Sequence, residues 1–151
     1  MTTTETAFFS IATVTEVTKR RVQDLLWLLF VDEASRPSWL HGVKNVNLSE
    51  GLVLNDFKTD NYFHWQQIVP VTDGCSLTLL VDNPIPAMRS YWQEFVLNID
   101  SIQKGLQIMA DKYPSIWKRF IDESHGKYSV HPAVTSDFFG QCVVYGEIIY
   151  G

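Results

Sequence analysis

The chain's four histidines (His41, His64, His125, His131) and two cysteines (Cys75, Cys142) are the residues best suited to chemistry. His64 lies between Phe63 and Trp65 in an apolar run, with Asp60 just before it. A carboxylate that orients an imidazole makes a general base. If Tyr62–Val69 and Cys75–Val81 form a hairpin, Cys75 brings a thiol to the neighbouring strand. The plainer reading is a strand histidine on a polar face, bonded to water or a neighbour, because a base needs a pocket. His125 and His131, with Glu123 and Asp137, have the side-chain types of a metal site. They lack any recognised ligand spacing, and neither H-E-x-x-H nor a histidine pair four residues apart occurs. No metal or cofactor is expected. G-x-S-x-G, P-loop and G-x-G-x-x-G patterns are also missing, so an enzyme reading has no positive support in the sequence.

Residues suited to binding are more numerous. The loop Arg36-Pro-Ser-Trp39-Leu-His41-Gly combines the Arg and Trp that commonly anchor protein interfaces. Arg36, Trp39 and His41 form the expected partner-binding set, with Trp39 as core plug the equal alternative. Trp27, Leu28 and Val31 fall off the best apolar face of the first helix and suit a homodimer contact. A second functional reading, a small-molecule site or small enzyme, places a pocket between the sheet and the long helix. Its lining would be Tyr62, His64, Trp65, Tyr91 and Trp92. Lys19-Arg20-Arg21 is the one basic run. Beside Glu16 and Asp24 it reads as a solvated, salt-bridged helix face rather than a nucleic-acid surface.

These side chains need elements to hold them. Phe8–Val14 reads as a first strand. Thr13 and Glu16 have capping-box spacing, which starts a helix running to about Asp32 with Val22, Leu25, Leu26 and Leu29 inward. Val43–Leu48 and Leu52–Phe57 flank Ser49-Glu50-Gly51, and Tyr62–Val69 and Cys75–Val81 flank Asp73-Gly74. Together they suggest a four-stranded antiparallel meander. Met88, Trp92, Phe95, Ile99, Ile102, Leu106, Met109 and Tyr113 recur at spacings of four and three, predicting a long helix. The stripe serves core packing more simply than a coiled-coil seam. Pro114 kinks or restarts that helix, which continues to about Glu123. Tyr128–Val130 is a short strand candidate, and Phe139–Tyr150, apolar on both faces, reads as a central strand.

The expected fold is therefore α+β over residues 1–151 as one domain. An antiparallel sheet (the meander plus a C-terminal strand) is packed by a long amphipathic helix and an N-terminal helix. Composition narrows the function. With 12 Lys+Arg against 17 Asp+Glu the net charge is −5, which argues against nucleic acid or an anionic membrane as partner. The longest apolar run, Leu25–Val31, is far short of the roughly 20 residues that span a bilayer, and the N-terminal residues lack a basic leader. Two dispersed cysteines suit free thiols in a reducing compartment, so cytoplasm is the expected location, with a Cys75–Cys142 disulfide the lesser alternative. The leading expectation is a small acidic protein that binds another macromolecule and has no catalysis of its own.

Overall fold

The computed structural model describes residues 7–11, 15–57, 64–85, 91–124 and 132–151. Its first elements are a short hairpin, β1 (Ala7–Ile11) against β2 (Thr15–Thr18), followed directly by α1 (Lys19–Phe30). The Thr18 hydroxyl accepts the Arg21 N–H at 3.1 Å and caps α1. Thr18, not Thr13, is thus the N-cap, and Glu16 pairs with Ser10 inside the hairpin. The stretch before Thr18 is rich in Thr and Val, whose branched side chains favour extended backbone and delay the helix by a turn and a half. The inward face is as expected: Val22, Leu25, Leu26 and Leu29 are buried, joined by Phe30.

The main sheet has three antiparallel strands in the order β3 (Leu40–Asn47), β4 (Ser76–Asp82) and β5 (Trp92–Leu97). The α+β class holds, but the four-stranded meander does not form. β3 pairs with β4 and not with the segment that follows it. Leu54–Phe57 is a 3₁₀ turn, in which the Asp56 carboxylate accepts the Val53 N–H and the Asp56 N–H donates back to the Val53 carbonyl, each at 2.9 Å. Such a local side-chain bond offers the backbone an alternative to a ladder. In place of the Tyr62–Val69 strand stands α2 (Trp65–Ile68), one turn long, leading into a 3₁₀ turn at Val69–Val71. The Gln67 side chain accepts the His64 N–H at 2.9 Å, and Pro70 lacks the N–H a central strand needs. The turn at Asp73-Gly74 exists, with Gly74 at φ +74°, but joins this helical segment to β4.

The predicted long helix is split. Residues 92–97 form β5, and α3 (Ile99–Lys112) begins only after Asn98, whose side chain accepts the Ser101 N–H at 2.9 Å while Ser101 Oγ accepts the Asn98 N–H at 2.9 Å. Beyond that cap the stripe behaves as expected, with Ile102, Leu106 and Met109 fully buried. Pro114 starts a new helix, α4 (Pro114–Ser124), where its missing N–H costs nothing.

The expected C-terminal strand is instead α5 (Pro132–Tyr145). Its two-sided apolarity comes from enclosure: α5 packs against α1, α3 and α4 and buries Phe139, Gly140, Cys142 and Val143. A buried helix and a central strand carry the same continuous apolar pattern. Two glycines permit close approach to α5, one from α3 and one beneath Trp39. A Cβ on Gly105 would lie 2.7 Å from the Val143 Cα, and one on Gly140 would lie 2.8 Å from the Trp39 ring. The strand candidate Tyr128–Val130 lies outside the described residues.

Candidate interaction surface

Trp39 belongs to the core. It is 2 % exposed, its indole N–H donates to Asp137 Oδ1 at 2.7 Å, and its ring meets Tyr145 edge-on at 5.8 Å. Of the expected partner-binding set, Trp39 therefore offers no exposed anchor. Arg36 is exposed and donates to the Phe30 carbonyl at 2.8 Å, satisfying an open carbonyl at the end of α1. His41 stands on β3 at the outer face of the sheet.

That face is built by strand alternation. Leu77, Leu79 and Val81 of β4 point into the core, while Asp82, Leu80 and Thr78 pair with Trp92, Glu94 and Val96 of β5. His41 Nε2 donates to Asp82 Oδ1 at 2.5 Å, and the His41 and Trp92 rings lie 5.2 Å apart. Lys44 reaches across the central strand to Glu94. Asn47 donates to Ser76 Oγ at 3.1 Å and Thr78 Oγ1 at 3.0 Å. Beside these polar pairs Trp92 and Val96 stand in contact with solvent, 52 % and 48 % exposed, and Tyr91, just before β5, is 86 % exposed. The Tyr91 carbonyl accepts the Asn83 N–H at 2.7 Å, which fixes the start of β5 beside the end of β4.

Behind Asp82 two tyrosines close the inner side. Tyr145 Oη donates to the Asp82 carbonyl at 2.7 Å, and Tyr150 meets Tyr145 edge-on. Burial first, then the neighbouring charges of Tyr150 and Asp82, pushes the Tyr145 hydroxyl far above its ordinary value; burial and Asp82 raise Tyr150 as well. Both are neutral donors at pH 7. Cys75 stands at the far end of β4, buried against Ser49, and Cys142 lies in the core, where burial pushes its thiol up to about 12. Both thiols are free. The described residues therefore give the His41–Asp82 pair an aromatic neighbour and no nucleophile.

The other expected sites separate. His64 is exposed and Trp65 half-buried on α2, which packs on α1, whereas Tyr91 and Trp92 sit at β5; Tyr62 lies outside the described residues. Because residues 65–71 are helical, no hairpin sets Cys75 across from His64. The inner face of the sheet and the buried stripe of α3 share one core, with Trp65 packed against it. Trp27 is 39 % exposed and Leu28 and Val31 half-buried on the outer side of α1. Trp27 and Leu28 line a hollow of about 340 Å³ with Arg20, Arg21, Asp24 and Gln67.

His125 and His131 lie outside the described residues. The two carboxylates expected beside them have other partners: Glu123 holds Arg21 and Thr135, and Asp137 holds Trp39 and Gln141. Among the described residues no group of three His, Cys, Asp or Glu side chains is placed to bind a metal, and no helix is long and apolar enough to cross a membrane. Comparison with protein-family models, curated proteins and solved structures finds no match to this chain.

Proposed function

We propose that the chain acts by binding another protein through the outer face of its three-stranded sheet, with no catalysis of its own. The observation that carries this reading is the exposure of Tyr91 and Trp92, neighbours at the head of β5 at 86 % and 52 %. Large aromatics combine wide contact area with few rotatable bonds, and they dominate binding energy where a partner covers them. The His41–Asp82 and Lys44–Glu94 pairs supply a polar rim that orients a partner. A net charge of −5 steers a basic partner toward the molecule.

The test is native mass spectrometry on the chain isolated gently from its source cells, beside a Tyr91→Ser/Trp92→Ser variant. The wild-type chain should carry a protein adduct. Loss of even one such anchor costs about 2 kcal/mol, so the variant should bind that partner at least about thirtyfold more weakly. An adduct that survives the double substitution overturns the reading. So does a ligand of a few hundred daltons at this face in place of a protein.

A further inference from the structure

The three-stranded sheet has two ends, and they are finished differently. At β3 the register shifts between Leu40 and Gly42 and again between Val43 and Asn45. Such irregularities bend an edge out of line and discourage further pairing. β5 has none: Trp92–Leu97 pairs residue for residue with Leu77–Asp82, and the strand carries neither Pro nor Lys. Alternation decides which of its backbone groups are used. The Asn83 N–H donates to the Tyr91 carbonyl, whereas the Asp82 N–H turns the other way, to the Trp39 carbonyl. Bonded and non-bonded pairs alternate in an antiparallel ladder. Since Asn83 bonds Tyr91, the bonded pairs of β5 are Gln93 with Val81, Phe95 with Leu79 and Leu97 with Leu77. The N–H and C=O of Glu94 and Val96 therefore point away from β4. Both residues are exposed, and among the described residues nothing bonds these backbone groups. An open and regular edge of this kind is a template for one more strand.

We propose that the partner protein adds an extended strand to the β5 edge, with a lysine or arginine opposite Glu94 and apolar side chains two positions to either side. Resting on the reading of the sheet face as a protein-binding surface, this adds how the partner is held. The backbone groups of Glu94 and Val96 give the main-chain bonds, and the side chains beside them select the sequence. Lys44 reaches Glu94 from across β4, which leaves the flank toward the open edge for a partner's cation. The net charge of −5 favours the same sign of partner. On the outer face Trp92 and Val96 stand two positions to either side of Glu94 and suit apolar cross-strand neighbours. On the inner face Phe95 is half-buried, and a further strand would cover the rest of it. A second copy of β5 fits less well. The two-fold register that sets Trp92 opposite Val96 also sets Glu94 opposite its own counterpart, and like charges directly opposed weaken a pair.

The probe is the peptide acetyl-Lys-Ile-Val-Lys-Thr-Tyr-Lys-amide, titrated into the nitrogen-15-labelled full chain. Run antiparallel to β5, it sets its central lysine against Glu94, its isoleucine against Val96 and its tyrosine against Trp92. It should bind saturably with a Kd of about 1 mM or tighter. The Glu94 and Val96 amides should gain protection from hydrogen exchange, while Phe95, already bonded to Leu79, gains little. Glutamate in place of the central lysine, or a methyl on that lysine's backbone nitrogen, should each weaken binding at least about threefold. Native mass spectrometry then addresses the cellular partner. Val96→Pro removes an outward N–H at an edge position where proline is tolerated, and should weaken that partner at least about fivefold. Val96→Ala keeps the N–H and should weaken it less. If Val96→Pro folds and keeps the partner that Tyr91→Ser/Trp92→Ser loses, the face reading stands and the added strand is overturned. If that variant does not fold, the methylated peptide decides. Peptide binding that the backbone methyl leaves unchanged overturns the proposal. So does the absence of a saturable response, or β5 signals that move with protein concentration alone, the mark of a second copy. A wild-type chain with no protein adduct removes the face reading and this inference together.

Discussion

Trp39 shows how much one side chain can tie together. Its indole N–H ends on Asp137, its ring covers Gly140, and its edge meets Tyr145. Truncation at such a site removes the transfer energy of the ring and leaves a cavity between β3 and α5. Trp39→Ala should therefore cost about 3–5 kcal/mol in urea unfolding, whereas an exposed anchor would leave the midpoint unchanged. From the sequence the two roles were equally open, because a loop Trp beside Arg36 and His41 has the composition of an interface. Only the partner on α5, almost a hundred residues away, decides between them. A second residue-scale consequence concerns Cys142, whose thiol is raised from 9.0 to about 12 by burial. The folded chain holds a proton that the unfolded chain releases. That stabilisation is complete below about pH 9 and declines as pH rises toward 12. Urea midpoints measured between about pH 8 and 11 should fall with pH, less steeply in Cys142→Ala. Tyr145 is pushed the same way and should leave part of the slope in that variant.

The elements were legible where local chemistry and packing agree. The buried stripes of α1 and α3, the restart at Pro114 and the alternation of β4 follow from periodicity alone. Where one apolar pattern serves two geometries, periodicity could not choose. Trp92, Phe95 and Ile99 fit helical spacing, yet Trp92-Gln-Glu-Phe-Val-Leu97 also alternates, and the deciding signal was the Asn98–Ser101 capping box. α5 read as a strand because it is apolar all round; Gly105 of α3, set against Val143, marks its close helix contact, and Gly140 makes room for the Trp39 ring. That contact gives a prediction at this scale. Gly105→Ala would normally gain about 1 kcal/mol in a helix interior. Here the new methyl meets Val143 backbone at 2.7 Å, which a rotamer change cannot relieve. The substitution should instead destabilise by about 1–3 kcal/mol in thermal or urea unfolding.

At the scale of the whole molecule, the α+β class was legible and the candidate site was not. Tyr91 and Trp92 were assigned to an internal pocket because the helix expected over 88–113 would have turned them toward a sheet. As the first residue of β5, Trp92 passes to the outer face, where His41 meets it from β3, and Tyr91 stands exposed just before the strand. The site thus depends on a strand pairing between distant segments, which no local window contains. Because the aromatic pair lies outside the core, Tyr91→Ser/Trp92→Ser should lose its partner while unfolding at the wild-type midpoint. The molecule's ion pairs divide along the same line between surface and frame. Lys44–Glu94 and Lys118–Asp122 stand in solvent, where salt screens them and each contributes little. Arg21–Glu123, with side chains only 15 % and 9 % exposed, joins α1 to α4 where counter-ions do not reach. Raising the ionic strength therefore softens the rim of the sheet face while the helical frame behind it keeps its shape.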